Sequence, residues 1–205
     1  SLPENFIYPL RHAISEGKIS MQTIDSRVAD VLRVKFMMGL FDNPYKGDTK
    51  KLEKVVHCKE HQNVSMRAAL ESIVLLKNEN NILPLSKSIK KVAVIGPNAA
   101  EVDNLICRYG PANAPIKTVY QGIKDYLPDS EVRYAKGADI IDEYFPESEL
   151  YDVPLNKTEE TMIDEAVALA KESDVAIMVL GGNEKTVREE YSRTNLDLCG
   201  RQEKL

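Results

Sequence analysis

The stretch DVAIMVLGGNEKTVREEYSRTNLDL, residues 174–198, decides the fold. Its apolar run, Val175 to Leu180, is too short for an independent helix and shows no polar alternation. Such a run predicts a strand buried on both faces, as in a parallel sheet. Gly181 and Gly182 end it, and a strongly charged segment from Asn183 to Arg193 follows. Open parallel sheets bind ligands at the loops beyond the carboxyl ends of their strands, so this loop leaves the scaffold where a site is expected.

Working outward, the segments before it alternate in the same sense. Asn156 or Thr158 can cap a helix whose Met162, Ile163, Ala166, Val167, Leu169 and Ala170 face inward. Glu131 to Ala135 reads as a short strand. Val119, Tyr120, Ile123, Tyr126 and Leu127 form one helical face with Thr118 as its cap, and Lys91 to Ile95 is a strand closed by Gly96. Strand, helix, strand, helix, strand predicts an α/β fold: an open, mainly parallel sheet with helices on both faces, a truncated α/β/α sandwich. Three strands are few for such a sheet, so further strands are expected beyond Leu205, with Gly200 to Leu205 entering the next helix.

The amino-terminal part is different. Phe6, Ile7, Leu10, Ala13 and Ile14 share a helical face closed by Gly17; Ser20 caps a second helix striped by Ile24, Val28, Val31, Leu32 and Phe36 and ending near Gly39. Two such helices cannot bury their stripes on each other alone and need a larger body. Residues 43–60, with Pro44 and Gly47, have linker chemistry. A helix from about His61 to Glu71 then runs into the apolar stretch Ser72 to Lys77, short enough for a strand, and Asn78 to Leu85 reads as turns.

Composition narrows the function. A net charge of −5 with both signs mixed argues against nonspecific nucleic-acid binding. No apolar run approaches the roughly 20 residues that span a bilayer, and the opening Ser1 to Asn5 lacks signal-peptide character. Three separated cysteines, Cys58, Cys107 and Cys199, with three histidines predict no zinc site, no disulfide framework and free, largely buried thiols. Asn63 and Asn156 open glycosylation-type tripeptides that can arise by chance. Gly96-Pro97-Asn98-Ala99 lacks the dinucleotide spacing and no phosphate-loop lysine follows a glycine loop, so no cofactor is expected. Arg108-Tyr109-Gly110-Pro111 sits in the long link after the first strand, and a second long link, residues 137–155, is acidic and aromatic. Long loops in a compact domain are either functional or disordered. These two links and the Asn183 loop all leave carboxyl ends of parallel strands, so they should gather on one edge.

Several motifs resemble glycoside hydrolase family 3. Residues 24–41, IDSRVADVLRVKFMMGLF, are similar to the helix closing that family's barrel domain. Residues 71–78 with Leu83-Pro84-Leu85 resemble its entry into a second, sandwich domain, and residues 92–99, VAVIGPNA, its first strand. Residues 189–193, EEYSR, with Leu196 to Gln202, look like its acidic loop. The resemblance, with its best subgroup match among bacterial β-glucosidase and β-xylosidase-like members, divides the chain into 1–42, the last helices of a (β/α)8-like barrel; 43–60, a linker; and 61–205, the first part of the sandwich. It implies retaining hydrolysis of terminal, non-reducing β-D-glucosyl or β-D-xylosyl residues of an oligo- or polysaccharide. Two carboxyl groups about 5 Å apart perform such chemistry. The nucleophilic aspartate would lie on the barrel, upstream of Ser1, leaving this chain inactive alone. The acid/base would be Glu189, or a glutamate beyond Leu205 as in some members; Glu190 and Glu184 are weaker matches. Arg108, Tyr109, Glu190 and Arg193 would lie on substrate-proximal loops, with Arg193 pinning its loop through an ion pair. Glu190, Ser192 and Cys199 stand where glycine, aspartate and proline are common in the family. Export to the periplasm or beyond is implied for the parent. The competing readings are a non-catalytic α/β binding or assembly module whose acidic loops contact a partner protein, and a small nucleotide-responsive domain.

Overall fold

The structure, a computed structural model, describes residues 3–45, 47–106, 108–110 and 115–205. Cys107 and Pro111, singled out above, lie outside the described residues. Packing divides the chain between Lys77 and Asn78 into two units.

The first unit is helical. Helix α1 (Pro3–Ser15) is followed by Gly17 in the left-handed conformation, and α2 (Met21–Met37) is capped by Ser20, whose hydroxyl accepts from the Thr23 amide. Gly39, also left-handed, ends α2 as a glycine after a helix commonly does. The apolar stripe stands open: Val28, Val31 and Phe36 are exposed, and no residue of α2 is buried. Within the expected linker a short helix, α3 (Thr49–Val55), forms because the Asp48 carboxylate accepts from the Lys50 amide. Helix α4 (Lys59–Ser72) groups with this unit. The strand expected over Ser72 to Lys77 does not form: residues 73–78 belong to no helix or strand, and Ile73, Val74, Leu75 and Leu76 are exposed. An apolar run becomes a strand only when a neighbouring strand pairs with it, and no described residue does so.

The second unit holds the sheet. Strands β1 (Lys91–Ile95), β2 (Glu131–Ala135) and β3 (Val175–Met178) are all parallel, in the order β2-β1-β3. Val92 lies opposite Val132 on one side and Val175 on the other. The short helices α5 (Asp103–Ile106) and α6 (Val119–Tyr126) follow β1, and α7 (Lys157–Lys171) follows β2. On one face Val92 and Val94 pack with Leu127, Val132 and Ile123 beside α6; on the other, Ala93 and Ile95 pack with Ala166 and Leu169 of α7. Helices thus cover both faces, and the fold is the expected open α/β sheet.

The strand that the sequence points to as doubly buried is instead an edge. Residues of β3 alternate between half-buried and exposed, with Met178 44 % exposed, whereas Val92, Ala93 and Val94 of β1 are fully buried. The second crossover carries the chain past β1, so β1 alone has strands on both sides. The helix expected at the carboxyl end is also absent, because residues 200–204 form turns. Gly200 sits left-handed against the Ile140 and Asp139 carbonyls, and a Leu205 amide bond to the Arg201 carbonyl is too little to propagate a helix.

Asp174 ties the strand starts together, its Oδ2 accepting from the Lys91 amide at 2.9 Å and the Lys90 amide at 3.1 Å. Those bonds, Lys91 first, hold its carboxyl below the usual aspartate range. A lowered native pKa stabilises the fold above the unfolded value and is lost as pH falls through the native one. Asp174→Asn should therefore lower the melting temperature at pH 7, and the deficit should close as pH drops below about 4, where unfolded aspartates protonate. Thermal melts across that range check it.

Candidate functional site

All three loops that leave the carboxyl ends of the strands meet on one edge. Gly96, just past β1, has φ +132°, and a Cβ there would lie 2.2 Å from the Val179 carbonyl oxygen past β3. That backbone cannot yield, because the Val179 amide already bonds the Ile95 carbonyl at 2.7 Å. Gly96→Ala should cost more than about 4 kcal/mol, as strained backbone and core overlap combine, and chemical denaturation measures it.

Three asparagines carry the seam outward from there. Asn98 donates to the Gly181 carbonyl at 3.3 Å, Asn104 donates to the Asn98 side-chain oxygen at 2.8 Å, and Asn183 donates to that of Asn104 at 2.9 Å. Asparagine suits this place because one amide both donates and accepts. In a sheet of this order the ends of β1 and β3 flank the switch-point crevice, and here the chain's own amides bridge it.

Beyond the seam lies the acidic loop. Arg188 and Tyr191 exchange two backbone bonds, Arg188 to Tyr191 at 3.0 Å and back at 2.9 Å, which puts Glu189 and Glu190 at the tip of a tight turn. The Arg188 guanidinium stacks on the Tyr191 ring, 4.1 Å from its centre. Glu189 is exposed, and its Oε2 accepts from the Tyr109 hydroxyl at 2.6 Å. Arg108 pairs with Glu184 at 3.2 Å. With the Asn183–Asn104 bond, three side-chain bonds thus join the first link to the acidic loop. Glu190 is exposed beside them and adds to the negative surroundings that help keep Arg108 charged.

Arg193 points its chemistry elsewhere. It reaches the second link, pairing with Glu149 at 2.7 Å, and also donates to Cys199 Sγ at 2.7 Å and to Asn195 at 3.0 Å. The Glu149 carboxylate first, with Cys199 and Asp197 nearby, raises its pKa above the ordinary arginine value. A polar cavity of about 320 Å³ lies between these loops, lined by Glu149, Tyr151, Asp152, Arg193, Asn195 and Asp197 among others. Cys199 is buried and Cys58 half-buried, both free. Asn156 caps α7 with its own side chain, bonding the Thr158 and Glu159 amides.

A buried charge cluster went unread in the sequence. Arg201 Nε lies 3.1 Å from Glu159 and 3.7 Å from Asp142, with side chains 6 %, 8 % and 1 % exposed. It locks the second link to the chain end. The signal available was an asparagine followed three residues later by glutamate, the capping box that fixes Glu159 at the start of α7. Among the described residues no group of three or more His, Cys, Asp or Glu side chains could hold a metal ion, and no helix is long and apolar enough to cross a membrane.

Residues 73–205 match the glycosyl hydrolase family 3 C-terminal domain. The chain is 35 % identical over 205 residues to a β-xylosidase of Formosa agariphila, covering 96 % of this chain and 26 % of that protein. It is 34 % identical to a periplasmic β-glucosidase of Salmonella typhimurium, with 90 % and 26 % covered. A solved β-glucosidase involved in saponin metabolism from intestinal bacteria superposes with a TM-score of 0.81 at 30 % identity, over 98 % of this chain and 29 % of that one. The chain spans about a quarter of the length of the curated relatives it matches.

Proposed function

The chain belongs to glycosyl hydrolase family 3, and on that premise we propose that it is the acid/base-bearing part of a retaining, exo-acting β-glycosidase. The observation that carries this reading is Glu189, held at the tip of a turn on the edge where all three loops gather. In the proposed reaction an aspartate of a barrel domain attacks the anomeric carbon of a terminal β-glucosyl or β-xylosyl residue. The bond to the leaving oxygen breaks with its electron pair, and Glu189 gives that oxygen its proton. Water then attacks the glycosyl-enzyme while the Glu189 carboxylate takes its proton, so two inversions give retention.

Residues 1–42 we assign to the end of the barrel, 43–60 to a linker and 61–205 to the sandwich; the open stripe of α2 is the surface the barrel would cover. Oligo- or polysaccharide is the substrate class, and the Salmonella relative's periplasmic name supports export. In the full-length enzyme, hydrolysis of a β-nitrophenyl glucoside or xyloside followed by proton NMR should release the β-anomer first, before mutarotation. Release of the α-anomer first would overturn the retaining assignment. The 205-residue chain alone should give no turnover in the same assay, and turnover would show that the nucleophile is within it.

A further inference from the structure

The Tyr109 hydroxyl donates to Glu189 Oε2 at 2.6 Å across 80 positions of sequence, the shortest of the three side-chain bonds that join the first link to the acidic loop. Among the described residues no hydrogen bond is made to the other oxygen, Oε1. Glu189 therefore has one oxygen held and one presented. Arg108 precedes the tyrosine in the chain, and the Tyr109 hydroxyl first, then the Glu184 carboxylate, raise its pKa above the usual value. The link that carries Tyr109 is itself tied to the acidic loop where the neighbouring Arg108 pairs with Glu184 at 3.2 Å. The turn at 188–191 alone fixes the backbone of Glu189 but leaves its side chain free to sample rotamers.

We propose that Tyr109 is a positioning residue for Glu189, fixing Oε2 so that Oε1 delivers the proton to the leaving oxygen and supporting the carboxylate left once that proton has gone. The inference rests on the acid/base role proposed above. It assigns Tyr109 an action through Glu189 and no contact with the sugar. A group that acts only through proton delivery matters in proportion to how much the leaving group needs a proton.

The test is therefore the leaving group. In the full-length enzyme, Tyr109→Phe should lower kcat/KM about tenfold on a phenyl or alkyl β-glycoside, at the low end of what a positioned acid contributes. On a 2,4-dinitrophenyl β-glycoside, whose leaving group departs as the anion, kcat/KM should stay within about twofold of the wild type on the same principle. Tyr109 is 74 % exposed, so phenylalanine leaves the fold intact, and an unchanged melting temperature confirms it. Equal losses on both substrates would make Tyr109 a structural or sugar-contacting residue, and no loss on either would make its bond idle; each overturns the inference. Glu189→Gly assayed beside it separates the two levels. If that variant shows the leaving-group dependence and Tyr109→Phe does not, only the inference fails. If neither shows it, the acid/base reading fails and takes the inference with it.

Discussion

Replacing Glu189 by glycine in the full-length enzyme should lower kcat/KM on a phenyl or alkyl β-glycoside by about 10²- to 10⁴-fold, the range a general acid supplies. The loss should nearly vanish on a dinitrophenyl glycoside in the first step, while hydrolysis of the glycosyl-enzyme slows because water loses its base. A burst of dinitrophenol followed by a slow steady state is the expected kinetic form. Glu189 sits at a turn tip beyond β3, bound to Tyr109 from the loop beyond β1, on the edge that Arg193 shares with Glu149 from the loop beyond β2. Glycine removes the carboxyl without threatening the core, since the side chain is exposed and the turn is held by backbone bonds between Arg188 and Tyr191. A uniform loss on all leaving groups would instead indicate damage to the loop.

Arg201→Met should lower the stability of the sheet unit by about 3–5 kcal/mol, the cost of stranding a buried partner charge. Here two carboxylates would be stranded, Glu159 at 3.1 Å and Asp142 at 3.7 Å, inside a site where all three side chains are less than a tenth exposed. The cluster is also incompletely satisfied: Asp142 Oδ2 and Arg201 Nη2 lie buried without a hydrogen bond. Buried ionic groups in that condition contribute little beyond replacing one another's hydration, so neutralising the whole set should recover most of the loss. Arg201→Met combined with Glu159→Gln and Asp142→Asn keeps the needed acceptors, because the amide oxygens can still take the Asn156 and Tyr144 amides that Glu159 and Asp142 now accept. Chemical denaturation of the single and triple variants measures both effects. A single variant within about 1 kcal/mol of the wild type would mean that water reaches the carboxylates when the arginine goes.

These residues also mark how far the sequence could be read. Helix starts were legible because Ser20, Thr118 and Asn156 each carry a side-chain oxygen that answers a nearby amide, a local interaction visible over three or four residues. Strand β1 was legible from its aliphatic run and the glycine after it. The rank of the strands was not: Val175 to Leu180 and Lys91 to Ile95 look alike as strings, and only the pairing order makes β1 the centre and β3 an edge. The same holds for Ile73 to Leu76, apolar enough for a strand yet unpaired, and for Gly200 to Leu205, where a fit against the Ile140 carbonyl replaces a helix. At the site, the gathering of the loops followed from topology, and the proposal of Glu189 as acid/base came from the family resemblance. Its bond to Tyr109 was not legible, because a separation of 80 positions offers no periodicity that links the two.

The most direct measurement is azide rescue of Glu189→Gly in the full-length enzyme with an activated β-glycoside. If Glu189 is the acid/base, azide enters the cavity left by the carboxyl, attacks the glycosyl-enzyme without needing a base, restores turnover and yields the β-glycosyl azide, identified by proton NMR. Full activity without azide, or no rescue and no glycosyl azide with it, would contradict that assignment.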